Sequence, residues 1–93
     1  MSEPTSVLDR ALELGSQVSV RPERFGALLY HFGTRRLSFL KDPRLLAVVQ
    51  RLPEAPTARA ACLDVGVETA SLRSFETALD RLLRTGMLQE RAA

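Results

Sequence analysis

The chain has one histidine, His31, and one cysteine, Cys62, the two side chains to weigh first for proton transfer and nucleophilic chemistry. Histidine acts as a general acid or base when a nucleophile or carboxylate orients it. No serine, cysteine or carboxylate stands at a recognisable spacing from His31, which therefore reads as a structural residue of a half-buried strand. Cys62 sits among Ala58, Ala60 and Ala61, where a thiol behaves as a small hydrophobe. Arg59 lies one turn away, but a reactive thiolate also needs exposure. A single cysteine excludes an intramolecular disulfide and a multi-cysteine zinc site. The run Gly33-Thr34-Arg35-Arg36 lacks the glycine spacing and the following helix of a phosphate-binding loop. The residues thus point to no catalytic centre, no metal and no cofactor.

What remains is binding, which depends on the elements that position the side chains. Placing Gly33-Thr34 as a two-residue hairpin loop, with glycine at positive φ, sets Tyr30 opposite Leu37 and Leu28 opposite Phe39. Strand side chains alternate with period two. Leu28, Tyr30, Phe32, Leu37 and Phe39 then share one face, which reads as core. Leu29, His31, Arg36, Ser38 and Leu40 share the other, a mixed face. An earlier strand is expected from about Gln17 to Val20, ended by Arg21-Pro22 because proline cannot donate to a ladder. Residues 1–11 read as a flexible N-terminal segment, with Val7 to Leu14 suiting either a helical turn or an entering strand. A single domain fills 12–93.

Three helices follow. Asp42-Pro43 is a helix start, with a capping carboxylate and a proline that has no amide to satisfy. Leu45, Leu46, Val48, Val49 and Leu52 form the apolar stripe of the first helix, ended by Pro53. Thr57 opens a second helix that Gly66 caps. A third begins near Thr69 or Ser71, lined by Leu72, Phe75, Leu79, Leu82 and Leu83 and stopped by Gly86. Met87 and Leu88 are expected to fold back on the core. A three-stranded antiparallel sheet followed by three helices gives one α+β domain.

The 93 residues leave room for one core, and a chain this short buries only about 60 to 65% of its unfolded surface. A deep enzymatic cavity would remove much of that core. The net charge of +2 comes from 13 basic residues scattered among 11 acidic ones, so no dense cationic face is required. No apolar run reaches membrane-span length and residues 1–5 lack signal-peptide character. A cytoplasmic protein without nucleic-acid or membrane partners is the expectation.

The last strand of the meander, Arg35 to Leu40, has an unpaired side. A helix packed beside it would make a groove where an extended peptide gains main-chain hydrogen bonds and apolar pockets. Arg35 and Arg36 would blunt unwanted pairing or attract an acidic peptide. The rival reading is a winged-helix DNA-binding regulator, because Thr57 to Leu88 reads helix, glycine turn, helix. Against it, Arg73, Arg81 and Arg84 are interleaved with Glu68, Glu76 and Asp80, and no wing strands are evident after the helix.

The run from Arg21 through Lys41, RPERFGALLYHFGTRRLSFLK, resembles the signature of the peptide chaperones of mycofactocin biosynthesis. These belong to the RiPP recognition element, or PqqD-like, family. Weaker similarity extends through the three helices to the Gly66 and Gly86 caps and thins out before Leu12. The family's aromatic residue near the first strand is replaced by Leu12 and Leu14. The resemblance implies a winged-helix-like domain that binds the leader of a ribosomally made precursor peptide and delivers it to a radical SAM maturase. It places the binding edge at Arg36, Leu37, Ser38, Phe39 and Leu40, and a helical wall at Leu72, Phe75, Glu76 and Leu79. A monomer or weak homodimer is expected, since an unpaired edge can pair with a second copy.

Overall fold

A computed structural model describes residues 6–91. Three strands, β2 (Val18–Glu23), β3 (Gly26–His31) and β4 (Arg36–Leu40), form an antiparallel meander in that order. Two short strands outside it, β1 (Leu12–Leu14) and β5 (Leu88–Glu90), pair antiparallel as a separate ribbon. Between the sheets run α1 (Pro43–Arg51), α2 (Ala58–Asp64) and α3 (Leu72–Arg84). The α+β class, with three helices after a three-stranded antiparallel sheet, is as expected. The closing strand β5 is an addition: the fold-back of Met87 and Leu88, both buried, ends in a ladder with β1.

The β3–β4 register matches the alternation, with Leu28 opposite Phe39 and Tyr30 opposite Leu37. The loop differs. It spans residues 32–35, closed by the Arg35 amide donating to the His31 carbonyl at 2.7 Å, and the positive φ falls on Arg35 (61°) instead of Gly33. His31 stabilises this loop: its Nδ1 accepts from the Gly33 and Thr34 amides at 3.0 and 3.1 Å. The core face is also the reverse of the one expected. Ala27, Leu29 and Leu40 are buried beneath α1, whereas Phe32, Leu37 and Phe39 point to solvent. Small and aliphatic side chains let a helix approach a sheet closely, so the face carrying Ala27 was the one α1 could cover.

The strand that precedes Gly26 runs on to Glu23 through Pro22. β2 is an edge strand, where a missing amide on the open side costs no ladder bond. Gly26 (φ 149°) then brings β3 against the end of β4 so closely that a Cβ there would lie 2.0 Å from the Leu40 carbonyl oxygen.

The helices start and stop where local chemistry dictates. The Asp42 carboxylate accepts from the Arg44 amide at 2.8 Å with Pro43 in the first turn, and Thr57 Oγ1 accepts from the Ala60 amide at 3.1 Å. Helix α2 ends with the Val67 amide donating to Cys62, and α3 with the Met87 amide donating to Leu82, at 3.0 and 2.9 Å. Both bonds require the left-handed glycine, Gly66 and Gly86, that precedes the donor. Val48, Val49, Leu52, Ala61, Cys62 and Leu79 are fully buried and join the three helices in one core.

The expected flexible segment is corrected over its described part. Residues Val7–Asp9 form a 3-10 turn, and Val7 and Leu8 are buried in the same core, packed on α2 and α3. Two adjacent large apolar side chains bury more surface than a frayed leader would retain. Residues 1–5 lie outside the described residues. No helix among those described is long and apolar enough to cross a membrane.

Candidate peptide-binding edge and cleft

The free main-chain groups of β4 follow from the ladder. In an antiparallel pair, residues alternate between exchanging both main-chain bonds with their partner and turning both groups away. The Phe32 amide donates to the Gln17 carbonyl at 2.8 Å, one step beyond the His31–Val18 pair. On β3, therefore, Leu28 and Tyr30 bond toward β2, while Ala27, Leu29 and His31 bond toward β4. Their partners Leu40, Ser38 and Arg36 are consumed inside the sheet. Leu37 and Phe39 are left with N–H and C=O turned to the open side, where no strand among the described residues pairs with them.

The same logic places Val18, Val20 and Pro22 outward on β2. The Val18 amide donates to the Gly15 carbonyl at 3.1 Å and Pro22 has no amide. Only Val20 retains a free donor within that strand, so β2 is blunted and β4 is open.

A cleft of about 200 Å³ lies where β4 passes into α1, lined by Asp42, Leu45, Ser74, Phe75 and Ala78. Its wall exists because Ser74 and Ala78, four residues apart on α3, are small and leave the edge of Phe75 reachable. The Arg44 guanidinium stands 5.3 Å over the Phe75 ring and bonds the Asp42 carboxylate at 3.1 Å. This bond, and then the Arg44 amide, hold the Asp42 carboxyl below the usual carboxylate range. The cleft thus offers an apolar floor with a fixed anion and cation at its lip.

The structure brings only part of the expected site together. Arg35, Arg36, Leu37 and Phe39 are exposed on or beside the open edge, Ser38 is half-buried on the inner face and Leu40 is buried. Of the helical wall, Phe75 lines the cleft, although it is itself a buried core residue with only 4% of its surface exposed. Leu72 and Leu79 are core residues, and Glu76 accepts a hydrogen bond from Ser6 Oγ on another side of α3. Asp42, Leu45, Ser74 and Ala78 line the cleft and are additions to the expected set. The signal available in the sequence was the Ser74–Phe75–Ala78 pattern, a large ring flanked by small residues at helical spacing.

Cys62 is buried, and burial raises its thiol above the ordinary range despite Arg59, which is the environment of an inert thiol. No group of three or more His, Cys, Asp or Glu among the described residues is arranged to hold a metal. The cations of α3 also serve the fold: Arg84 pairs with Asp80 one turn away. The strand after α3 pairs with β1, so among the described residues no hairpin of two successive strands follows that helix.

The family model for the peptide chaperone MftB family matches residues 11–89. The chain is 52% identical over 83 residues to the peptide chaperone MftB of Mycobacterium tuberculosis, covering 89% of this chain and 76% of the relative. It is 51% identical over 80 residues to that of Mycobacterium ulcerans (86% and 73% covered). Identity to that of Mycolicibacterium smegmatis is 48% over 80 residues (86% and 78%). No solved structure matches. With most of its length matched and about half its aligned residues identical to these relatives, the chain belongs to the peptide chaperone MftB family, a non-catalytic one.

Proposed function

We propose that the chain captures the leader of a ribosomally made precursor peptide as a fourth strand on β4 and presents it to a radical SAM maturase in mycofactocin biosynthesis. The observation that carries this reading is the pair of unbonded main-chain positions, Leu37 and Phe39, on the one edge of the sheet that proline does not blunt. An extended guest bonds those positions regardless of its own side chains. Selectivity then comes from the cleft at Phe75, which accepts an apolar side chain. Arg35 and Arg36, exposed at the opposite end of β4, favour an acidic residue in the guest. The redox chemistry belongs entirely to the partner enzyme. The relatives' name, peptide chaperone, supports the same division of labour.

Calorimetric titration of the folded chain with the synthetic cognate leader tests this reading. Saturable one-to-one binding, micromolar or tighter, is expected. No saturable heat at high-micromolar leader, with a folded circular dichroism spectrum, removes the reading.

A further inference from the structure

The face of the meander turned away from the helices is unusually apolar for a solvent surface. Phe25, Phe32, Leu37 and Phe39 are 43%, 59%, 53% and 59% exposed, four of the five large hydrophobic side chains exposed among the described residues. They are organised: Phe25 lies 6.2 Å from Phe39 by ring centroids, and Tyr30 and Phe32 meet edge to face at 5.2 Å. Contiguous exposed apolar patches mark interaction sites, and preset aromatic rings lose little side-chain freedom on binding. The charges around the patch have one dominant sign. Arg21, cross-strand from Leu28, is paired with Glu23 at 3.0 Å. Arg24, Arg35 and Lys41 enter none of the ion pairs among the described residues.

We infer that this outer sheet face is the surface on which the maturase docks, through a patch with an apolar centre and an acidic rim. The choice of partner rests on the peptide-capture reading above. Two observations select it. A second copy seated here would bring the unpaired basic residues of one chain toward those of the other, which like-charge repulsion opposes. The face is also continuous with the open edge: Leu37 and Phe39 supply its apolar side chains and the free main chain alike. A guest strand on β4 widens the same face, so a protein seated there touches chaperone and peptide together. Recognition of the loaded complex over the empty one follows from that shared surface.

The test uses the full chain with Phe32→Glu, which lies in the loop off the strand edge, and Arg24→Glu, on the rim. Phe32→Glu is expected to keep its thermal midpoint within a few degrees and its leader affinity within about twofold. It should weaken binding of the leader-loaded chain to the maturase at least tenfold. Arg24→Glu should slow association and flatten its salt dependence. Unchanged maturase affinity in folded Phe32→Glu overturns the inference. So does self-association of the wild type that Phe32→Glu abolishes, or co-sedimentation with anionic phosphatidylglycerol vesicles that the same variant abolishes. If the wild type binds no leader, yet Phe32→Glu still weakens the free chain's affinity for the maturase, the docking face stands and the strand-capture reading falls.

Discussion

The two edges of the three-stranded sheet have the same backbone chemistry available and are left in opposite states. On β2 the outward positions are Val18, whose amide is spent on Gly15, Pro22, which has none, and Val20, the one free donor left. On β4 the outward positions Leu37 and Phe39 keep both donor and acceptor. An exposed edge is a liability that folded proteins cover, bend or interrupt. Interrupting one and sparing the other leaves β4 as the more open border, the one on which the proposal above seats the guest strand. On that proposal selectivity belongs to the β4 side, whose end leads to the cleft at Asp42, Leu45 and Phe75.

The strongest way to break this contrast is to disturb what holds β4 in register. Gly26→Ala sets a Cβ 2.0 Å from the Leu40 carbonyl oxygen at a φ that side chains avoid. A loss of about 3 kcal/mol is expected, read as a thermal midpoint lower by roughly 12 °C or more, with leader binding lost alongside. A midpoint within a few degrees of the wild type would show that β3 and β4 need no such closeness.

A finer probe changes one outward amide. Phe39→Pro keeps the fold, as Pro22 does on the other edge, while leader affinity falls at least tenfold. Phe39→Ala, which retains the amide, costs no more than about fivefold. Equal losses in the two variants would assign the contact to the ring instead of the main chain. Ser38→Pro differs in kind, because the Ser38 amide bonds within the sheet, and it should unfold the β3–β4 ladder.

The smallest effect is expected from repairing the blunted edge. Pro22→Val supplies the missing donor, and sedimentation velocity at high protein concentration should detect weak self-association absent from the wild type. A strictly monomeric variant would mean that Pro22 is not what keeps β2 from pairing.

The register of residues 26–40 was legible because alternation and a short loop leave few solutions. The buried face was not, because both alternating sets are apolar and the larger aromatic set suggested a core. The helix decided it: α1 packs on β3, and its buried Val48 and Val49 share one core with Ala27 and Leu29, a flatter seat than Phe39 would give. The positive φ at Arg35 is not legible for a related reason: Gly33 is the easier candidate for it, and the longer loop is set by His31 capping its amides. In α3, the periodic leucines advertised the core and hid the cleft. A residue as buried as Leu79 has no surface left to offer a guest, so the useful signal lay in the small residues beside Phe75.

The ribbon that joins β1 to β5 has a consequence for how the molecule is made. Leu12 to Leu14 meet Leu88 to Glu90, with Arg10 and Glu90 paired across the closure at 2.7 Å, whereas the meander is assembled from neighbours in the chain. Contacts between distant residues form late because their loop must close first. During synthesis the meander can fold once residue 40 has emerged, but the seam between the two termini waits for residue 90. The pairing of greatest sequence separation in the fold is therefore expected to form after the local pairings of the meander.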